Sequence, residues 1–422
     1  MEVPFKRCNI LIPKKNIDYS LWSVIACDQY TSQIDYWNKV KDLVGDNPST
    51  YKITLPEVYL EDENVDERIE NINKKMNEYL DNDIFDTLED TMIYLERTDS
   101  TGNVREGLIG MIDLECYDYN IGSKSLIRAT EKTVIERIPP RKKVRINAPL
   151  ELPHIMILID DEKKDIIESL KNKVTLDDLI YDFDLMLNAG HSKGYKLSGP
   201  VIDEVTKKLE SLGEISYFNN KYGVNEEYPC VYAMGDGNHS LATAKACYEE
   251  IKQQLGEEEA LKHPSRYALV ELVNIHSDAL DFEPIHRVIF DCDVEHLLTQ
   301  MYKRFVINTN GNGQKLTYIT SAGEKTIYIE DATSNLVVGT LQSFLDDYLQ
   351  EFAGKIDYIH GENVTREMAS KQNNIGFLLP KMEKSDLFKS VILDGALPRK
   401  TFSMGHSDDK RFYFECRKIK NS

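Results

Sequence analysis

The chain has 422 residues, with 51 basic and 71 acidic side chains and a formal charge of −20. That balance excludes a protein whose main task is gripping DNA, RNA or an anionic membrane, because a phosphate polymer would be repelled. The length exceeds one ordinary core, the 41% hydrophobic content suffices for several, and no run nears the roughly 20 apolar residues of a membrane span.

In chain order, the first sixteen residues lack the long apolar stretch and small-residue cleavage site of a secretory signal, so a cytoplasmic protein is expected. Leu21–Cys27 reads as a buried strand, and Thr31 as the cap of a helix running to Val44 before Gly45 and Pro48 end it. A charged helix is predicted over Asn64–Leu80. Two strands follow, Thr91–Glu96 and Gly107–Leu114, around the polar turn Asp99–Asn103. The middle of the chain predicts a strand His154–Asp160, a helix Glu162–Asn172, a glycine-rich loop Asn188–Pro200 and a helix Val201–Leu212. It continues with a strand Pro229–Met234, a helix His239–Leu255 and a strand Tyr267–Ile275. The last part alternates strands (Lys325–Glu330, Leu336–Gly339, Ile356–Ile359, Gly376–Leu379, Phe412–Cys416) with helices (Leu341–Phe352, Val364–Lys371, Lys384–Leu393). Such alternation predicts an α/β or α+β chain, with mixed sheets and flanking helices. Two to three lobes are expected, at 1–125, 126–307 and 308–422, with the polar stretch Asn308–Gln314 as the linker candidate.

The seven cysteines are odd in number and scattered, which fits neither a disulfide framework nor a zinc knuckle. Arg137–Arg145 holds five basic residues in nine; it either steers an anion or forms a solvated loop balancing nearby acids. Gly190-His191-Ser192-Lys193-Gly194 matches the nucleophile-elbow pattern. Pro200 breaks the helix that motif needs, so a flexible loop, a candidate lid, is the better reading. There is no P-loop, complete dinucleotide fingerprint or His-Glu-x-x-His helix.

The segment richest in chemistry is Val231–Lys245, where an apolar strand enters the turn Gly235-Asp236-Gly237 and a helix starts at once. Free N–H groups and the helix dipole then face an anion, and the glycines let a phosphate come close. Asp236 could hold a divalent metal, and His239 could donate to a phosphate oxygen. The alternative is an ordinary strand-to-helix turn with Asp236 or Asn238 as its cap.

Gly235-Asp236-Gly237-Asn238-His239-Ser240 resembles a variant of the Asp-Gly-His-His-Arg signature of a bacterial and archaeal domain-of-unknown-function family, the one numbered ten-fifteen. Arg128–Thr133 lies where that family has a basic residue, His-Glu and Thr. Pro284-Ile285-His286-Arg287 and Ala396–Phe402 are similar to two further family segments, so the resemblance covers nearly the whole chain. It implies a core motif like that of the ParB/sulfiredoxin superfamily with its free-serine kinases. The implied activity is a nucleotide- and magnesium-dependent phosphotransferase acting on a small hydroxylated metabolite such as serine. In that reading Glu131 accepts the substrate's proton, Asp236 binds Mg2+, and Gly235, Gly237, Asn238, His239 and Ser240 line the phosphates of ATP or ADP. Arg128, His286, Arg287 and Lys400 supply positive charge. Ser240 stands where the family has arginine, and Thr130 where it has histidine. A sensor that binds nucleotide or metabolite without turnover is therefore the second reading. The expected partner is a small anion or nucleotide, with no nucleic acid and no membrane, and a homodimer on base rate alone.

Overall fold

Runs of apolar, β-branched residues that are continuous rather than alternating belong in strands covered on both faces, and they lie at the centre of the larger sheet. The computed structural model describes residues 3–404 and 410–420. The chain forms two units. The first is Met1–Ala129, Thr133–Leu280 and His406–Ser422; the second is Thr130–Lys132 and Asp281–Gly405.

The first unit contains helices α1 (Ile34–Val44) and α2 (Val65–Asp81), strands β1 (Ile93–Thr98), β2 (Val104–Asp113), β3 (Tyr117–Asp118) and β4 (Ile127–Arg128), and helix α3 (Ile138–Ile146). Strands β5 (Met156–Ile159), β6 (Leu179–Asp184) and β7 (His191–Lys196) follow, then helix α4 (Gly199–Leu212), strand β8 (Tyr232–Asp236), helix α5 (Asn238–Leu255) and strand β9 (Tyr267–Asn274). The sheet order is β6-β7-β1-β2-β9-β5-β8-β4-β3, with Phe5–Lys6 alongside β2. It is mixed: β9 runs parallel to β5 and β8 parallel to β4, while β5 and β8 are antiparallel.

Side chains alternate between the two faces of these strands. On one face Tyr94, Leu108, Ile157 and Leu272 pack with Ile202 and Val205 of α4 and Leu241 and Tyr248 of α5. On the other, Ile93, Leu95 and Ile109 meet Trp22, Trp37, Ile69 and Met76, together with Phe412 and Phe414 from the end of the chain. That last segment is bound by the Leu11–Cys416 and Ile25–Phe412 bridges and by the Trp22 indole, which donates to the Phe414 carbonyl at 2.9 Å.

The tie that matters most is electrostatic. Glu271 of β9 is fully buried. Its carboxylate accepts from Arg105 Nε at 3.0 Å and from Arg411 at 2.9 Å. Arg411 also pairs with buried Glu415, which accepts from the Tyr181 hydroxyl, and its Nε donates to the Pro153 carbonyl at 3.0 Å. Burial opposes ionisation of Glu271, but the two guanidinium groups outweigh it and hold the carboxyl below its ordinary value of 4.5.

The second unit holds strand β10 (Phe282–Phe290), helix α6 (Val294–Arg304), strands β11 (Gln314–Thr320) and β12 (Gly323–Ile329), and helix α7 (Val337–Glu351). Strand β13 (Lys355–His360), helix α8 (Glu362–Ala369), strand β14 (Ile375–Leu378) and helix α9 (Lys384–Asp394) complete it. Its sheet runs Ile307–Asn308, β12, β11, β14, β10, β13, with every pair antiparallel. Leu297, Met301, Leu341 and Phe344 pack on Ile327, Ile375 and Phe377. The chain is thus mixed α/β, and no described helix is long and apolar enough to cross a membrane.

Several local expectations are corrected. Leu21–Cys27 is no strand: the Asp18 side chain caps a short helix, Tyr19–Trp22, and only Ile25 makes a bridge. Glu162–Asn172 holds a single 3-10 turn, Glu168–Asn172, with Glu168 buried against Asn274. The supposed loop and lid at Asn188–Pro200 contains β7, paired on both sides, by β6 and β1. A Cβ on Gly194 would lie 2.1 Å from the Tyr181 ring, so that glycine serves a close approach within a strand. Leu336–Gly339 leads into and forms the first turn of α7, and Phe412–Cys416 is extended with isolated bridges only. Asn308–Gln314 is the tight connection between two strands of one sheet. The basic run is helix α3, its prolines tolerated in the first turn where no N–H is required, and its cations pair with Glu57, Glu250, Asp66 and Glu151.

Replacing Glu271 by Gln removes the carboxylate that Arg105 faces and leaves Arg411 with Glu415 alone, and the expected loss is about 3–5 kcal/mol. Both tryptophans, Trp22 and Trp37, are buried in this unit, so urea unfolding followed by their fluorescence reads it directly. Because the folded carboxyl titrates below its unfolded value, the Glu271 contribution is complete above pH 4.5 and fades as pH falls below it. The Gln variant should lack that acid-dependent component.

Candidate functional site

The buried stretch Tyr232-Ala233-Met234 drives β8 into the sheet, and a register shift against β5 between Met234 and Asp236 turns the chain out of it. Gly237 then adopts φ +79°, a conformation that favours glycine, and a Cβ there would lie a tight 3.1 Å from Ile155 Cα. Among the described residues, no side chain caps the start of helix α5 at Asn238. The Asn238 Oδ1 atom is buried and has no partner among the described residues. An uncapped helix start behind a glycine turn, with an unpaired amide beside it, is an arrangement able to receive an anion and a hydrogen-bond donor together.

Asp236 accepts from the Gly237 N–H at 2.9 Å and from Lys410 Nζ at 3.0 Å. Burial would raise its carboxyl, but attraction to Lys410, reinforced by both hydrogen bonds, holds it below the usual aspartate range. His239 Nε2 accepts from the Val134 N–H at 3.3 Å, which leaves Nδ1 to carry the proton. Burial, then the Arg141 and Arg137 charges, pull its value down to about 4, so at neutral pH the ring is uncharged and offers a ligand only a donor. The Ser240 hydroxyl lies 2.5 Å from His154 Nε2, and His154 Nδ1 lies 2.9 Å from the Tyr413 hydroxyl.

Arg128 lies on β4 beside β8, and its guanidinium is buried and donates to the Ser125 and Tyr228 carbonyls at 2.9 and 3.0 Å. The remaining expected residues belong to the second unit. Glu131 is exposed, next to Thr130, whose carbonyl accepts from the Leu397 N–H at 2.7 Å. His286 is buried, and its Nδ1 accepts from the Leu379 N–H at 3.1 Å. Arg287 is fully buried, donating to Gln342 at 3.2 Å and to the Arg399 carbonyl at 2.8 Å. Burial lowers its value to about 10. Lys400 is exposed, with a positive φ of 56°. The fold therefore keeps Gly235 to Ser240 in one unit with Arg128, which pairs with Ala233 and turns its guanidinium to Ser125 and Tyr228 instead of to the turn. In the other, the Thr130 carbonyl and the Arg287 guanidinium each bond to the segment that ends in Lys400.

Sequence reasoning missed Lys410, His154 and Tyr413. Lys410 meets Asp236 across 174 residues, and no local pattern marks such a partner. One acid and histidine group, Asp160, Glu162 and His276, has ligand atoms within 4.8 Å of one another. Lys221 already supplies its cation, at 2.9 Å from Asp160 and 3.6 Å from Glu162.

The His239 imidazole should titrate near pH 4, well below the ordinary histidine value of about 6.5. Proton–nitrogen correlation spectra of the ring, assigned through His239→Gln, read this directly.

Comparison with curated proteins gives no match. Among solved structures, a free serine kinase in complex with AMP is 10% identical over 74% of this chain and 90% of its own, with a TM-score of 0.37. SbnI with a C-terminal truncation from Staphylococcus aureus is 9% identical over 70% and 82%, with a TM-score of 0.36. A conserved hypothetical protein from Pyrococcus furiosus is 10% identical over 74% and 94%, with a TM-score of 0.33. Likenesses this distant carry no chemistry to this chain. Sequence does identify a family, since its profile matches residues 11–381, through β8, the glycine turn and the start of α5. The chain belongs to the family described as protein of unknown function (DUF1015).

Proposed function

We propose that the turn Gly235–Ser240 binds the phosphates of ATP or ADP and that the protein transfers a phosphoryl group to a small hydroxylated metabolite, free serine being the first to test. The observation that supports this reading is the uncapped start of α5 behind Gly237, with Asn238 Oδ1 unpaired beside it. Main-chain N–H groups there would receive phosphate oxygens, and neutral His239 would donate from Nδ1. Asp236 would hold Mg2+ through Oδ2 in place of Lys410, and the remaining positions would come from phosphate and water, as this cation prefers. The metal would supply charge compensation between phosphate oxygens. Glu131 takes the substrate hydroxyl's proton, and Lys400 adds positive charge. Arg128, His286 and Arg287 are engaged with main-chain groups, so their contribution is to hold the segments that carry the others.

One observation favours the second reading, binding without turnover. Lys410 already neutralises Asp236, so the turn is charge-balanced without a metal.

The test uses the full chain with Mg2+, ATP or ADP, and serine, following phosphoserine and nucleotide conversion. Glu131→Ala should lower turnover about 10²–10⁴-fold and leave nucleotide affinity unchanged. Asp236→Ala should abolish turnover. Tight nucleotide binding with no product across a panel of hydroxylated metabolites would establish the sensor instead, and absence of nucleotide binding would sink the phosphotransferase and leave only a metabolite sensor.

A further inference from the structure

Beside Ser240 the first unit holds a partly open cavity of about 140 Å³. Its walls are apolar: Ile53, Leu55, Leu60, Met76, Leu150 and Leu152. An apolar cavity of about 150 Å³ is large enough to hold one benzene ring. His154, Ser240 and Tyr413 give it polar atoms. Two cations also border it, Arg141 and Arg145, but each is paired, with Glu57 and Glu151. The lining is therefore close to charge-neutral, and an isolated anion gains little there.

The polar groups form one hydrogen-bonded chain. The Tyr413 oxygen accepts from the Cys27 N–H at 3.1 Å. Burial pushes its acidity far out of reach, so the phenol keeps its proton. Two described groups can take that proton, His154 Nδ1 at 2.9 Å and the Cys27 side chain. When His154 takes it, the imidazole carries its own proton on Nε2 and donates it to Ser240 Oγ at 2.5 Å. The Ser240 hydroxyl proton is left over, with no protein acceptor among the described residues. His154 cannot deprotonate Ser240 in this arrangement, so the serine is a hydrogen-bond donor to a ligand and not a nucleophile.

We propose that this cavity takes an uncharged or zwitterionic small molecule with an apolar body the size of a single ring or a branched aliphatic chain, and that Ser240 donates to an oxygen at its polar end. That this molecule is the acceptor in the reaction above rests on the proposed function; that the cavity binds it does not. Free serine, which has no such body, would leave most of the space empty.

The test adds benzyl alcohol, toluene or serine to the full-length protein without nucleotide and follows the Met76 methyl resonance, a reporter in the cavity wall. Saturable shifts are expected with benzyl alcohol and with toluene. Ser240→Ala should weaken benzyl alcohol about tenfold and leave toluene unchanged. Ala148→Phe, which fills the cavity from its lining, should abolish both. Val144→Phe serves the same purpose should the first variant fail to fold. No saturable Met76 shift with either aromatic probe, or equal weakening of both probes by Ser240→Ala, overturns the proposal. Nucleotide affinity, measured separately by calorimetry, keeps the two readings apart. Cavity binding without nucleotide binding sinks the phosphotransferase and spares the cavity, and the reverse result does the opposite.

Discussion

A carboxylate with no exposed surface is tolerated only where its charge is met on all sides, and Glu271 is met by Arg105 and Arg411. The candidate site hangs from this pair. Arg411 Nε holds the Pro153 carbonyl, and the Glu271 N–H holds the Ile155 carbonyl at 3.0 Å. His154, between those two fixed points, is thereby aimed at Ser240. Ile155 is also the residue whose Cα lies against the tight approach at Gly237. On the other side of Arg411, Lys410 reaches Asp236 and Tyr413 reaches His154. One buried ion cluster thus sets the positions of the turn, its counter-charge and its hydrogen-bond chain.

Buried charge of this kind adds little net stability compared with apolar residues of similar size, because desolvation cancels most of the attraction. What it does supply here is specificity of position. Apolar contacts around Trp22, Phe412 and Phe414 would tolerate small slides of the final segment. A guanidinium bonded at once to Glu271, Glu415 and Pro153 tolerates none.

Much of the fold was legible where local physics decides it. Helix α2 matched the charged stretch to within a residue or so at each end, and α5 followed from helix formers running without a breaker from position 239. The turn at 235–237 was visible because two glycines and an aspartate between a strand and a helix have few other uses. The failures share one cause, that tertiary contacts decided the conformation. Gly190–Gly194 reads as a loop until Tyr181 is known to lie across Gly194. Arg137–Arg145 reads as a loop until its acids on α2, α5 and elsewhere are known to flank a helix. In the candidate site, Asp236, His239 and Ser240 were visible because they are contiguous. Their partners Lys410, Val134 and His154 come from 174, 105 and 86 residues away, and no periodicity links them.

The return of residues 410–420 to the first unit has a consequence for synthesis. Arg411 follows Glu271 by 140 residues. At ribosomal speeds Glu271 and Arg105 therefore wait on the order of 10 s for their third member. During that interval the second unit is made in full while the sheet of the first still lacks the aromatic residues and charge that close it. The emerging chain must stay soluble with an open apolar face. The surplus of twenty acidic charges, spread along its length, gives it the self-repulsion to do so.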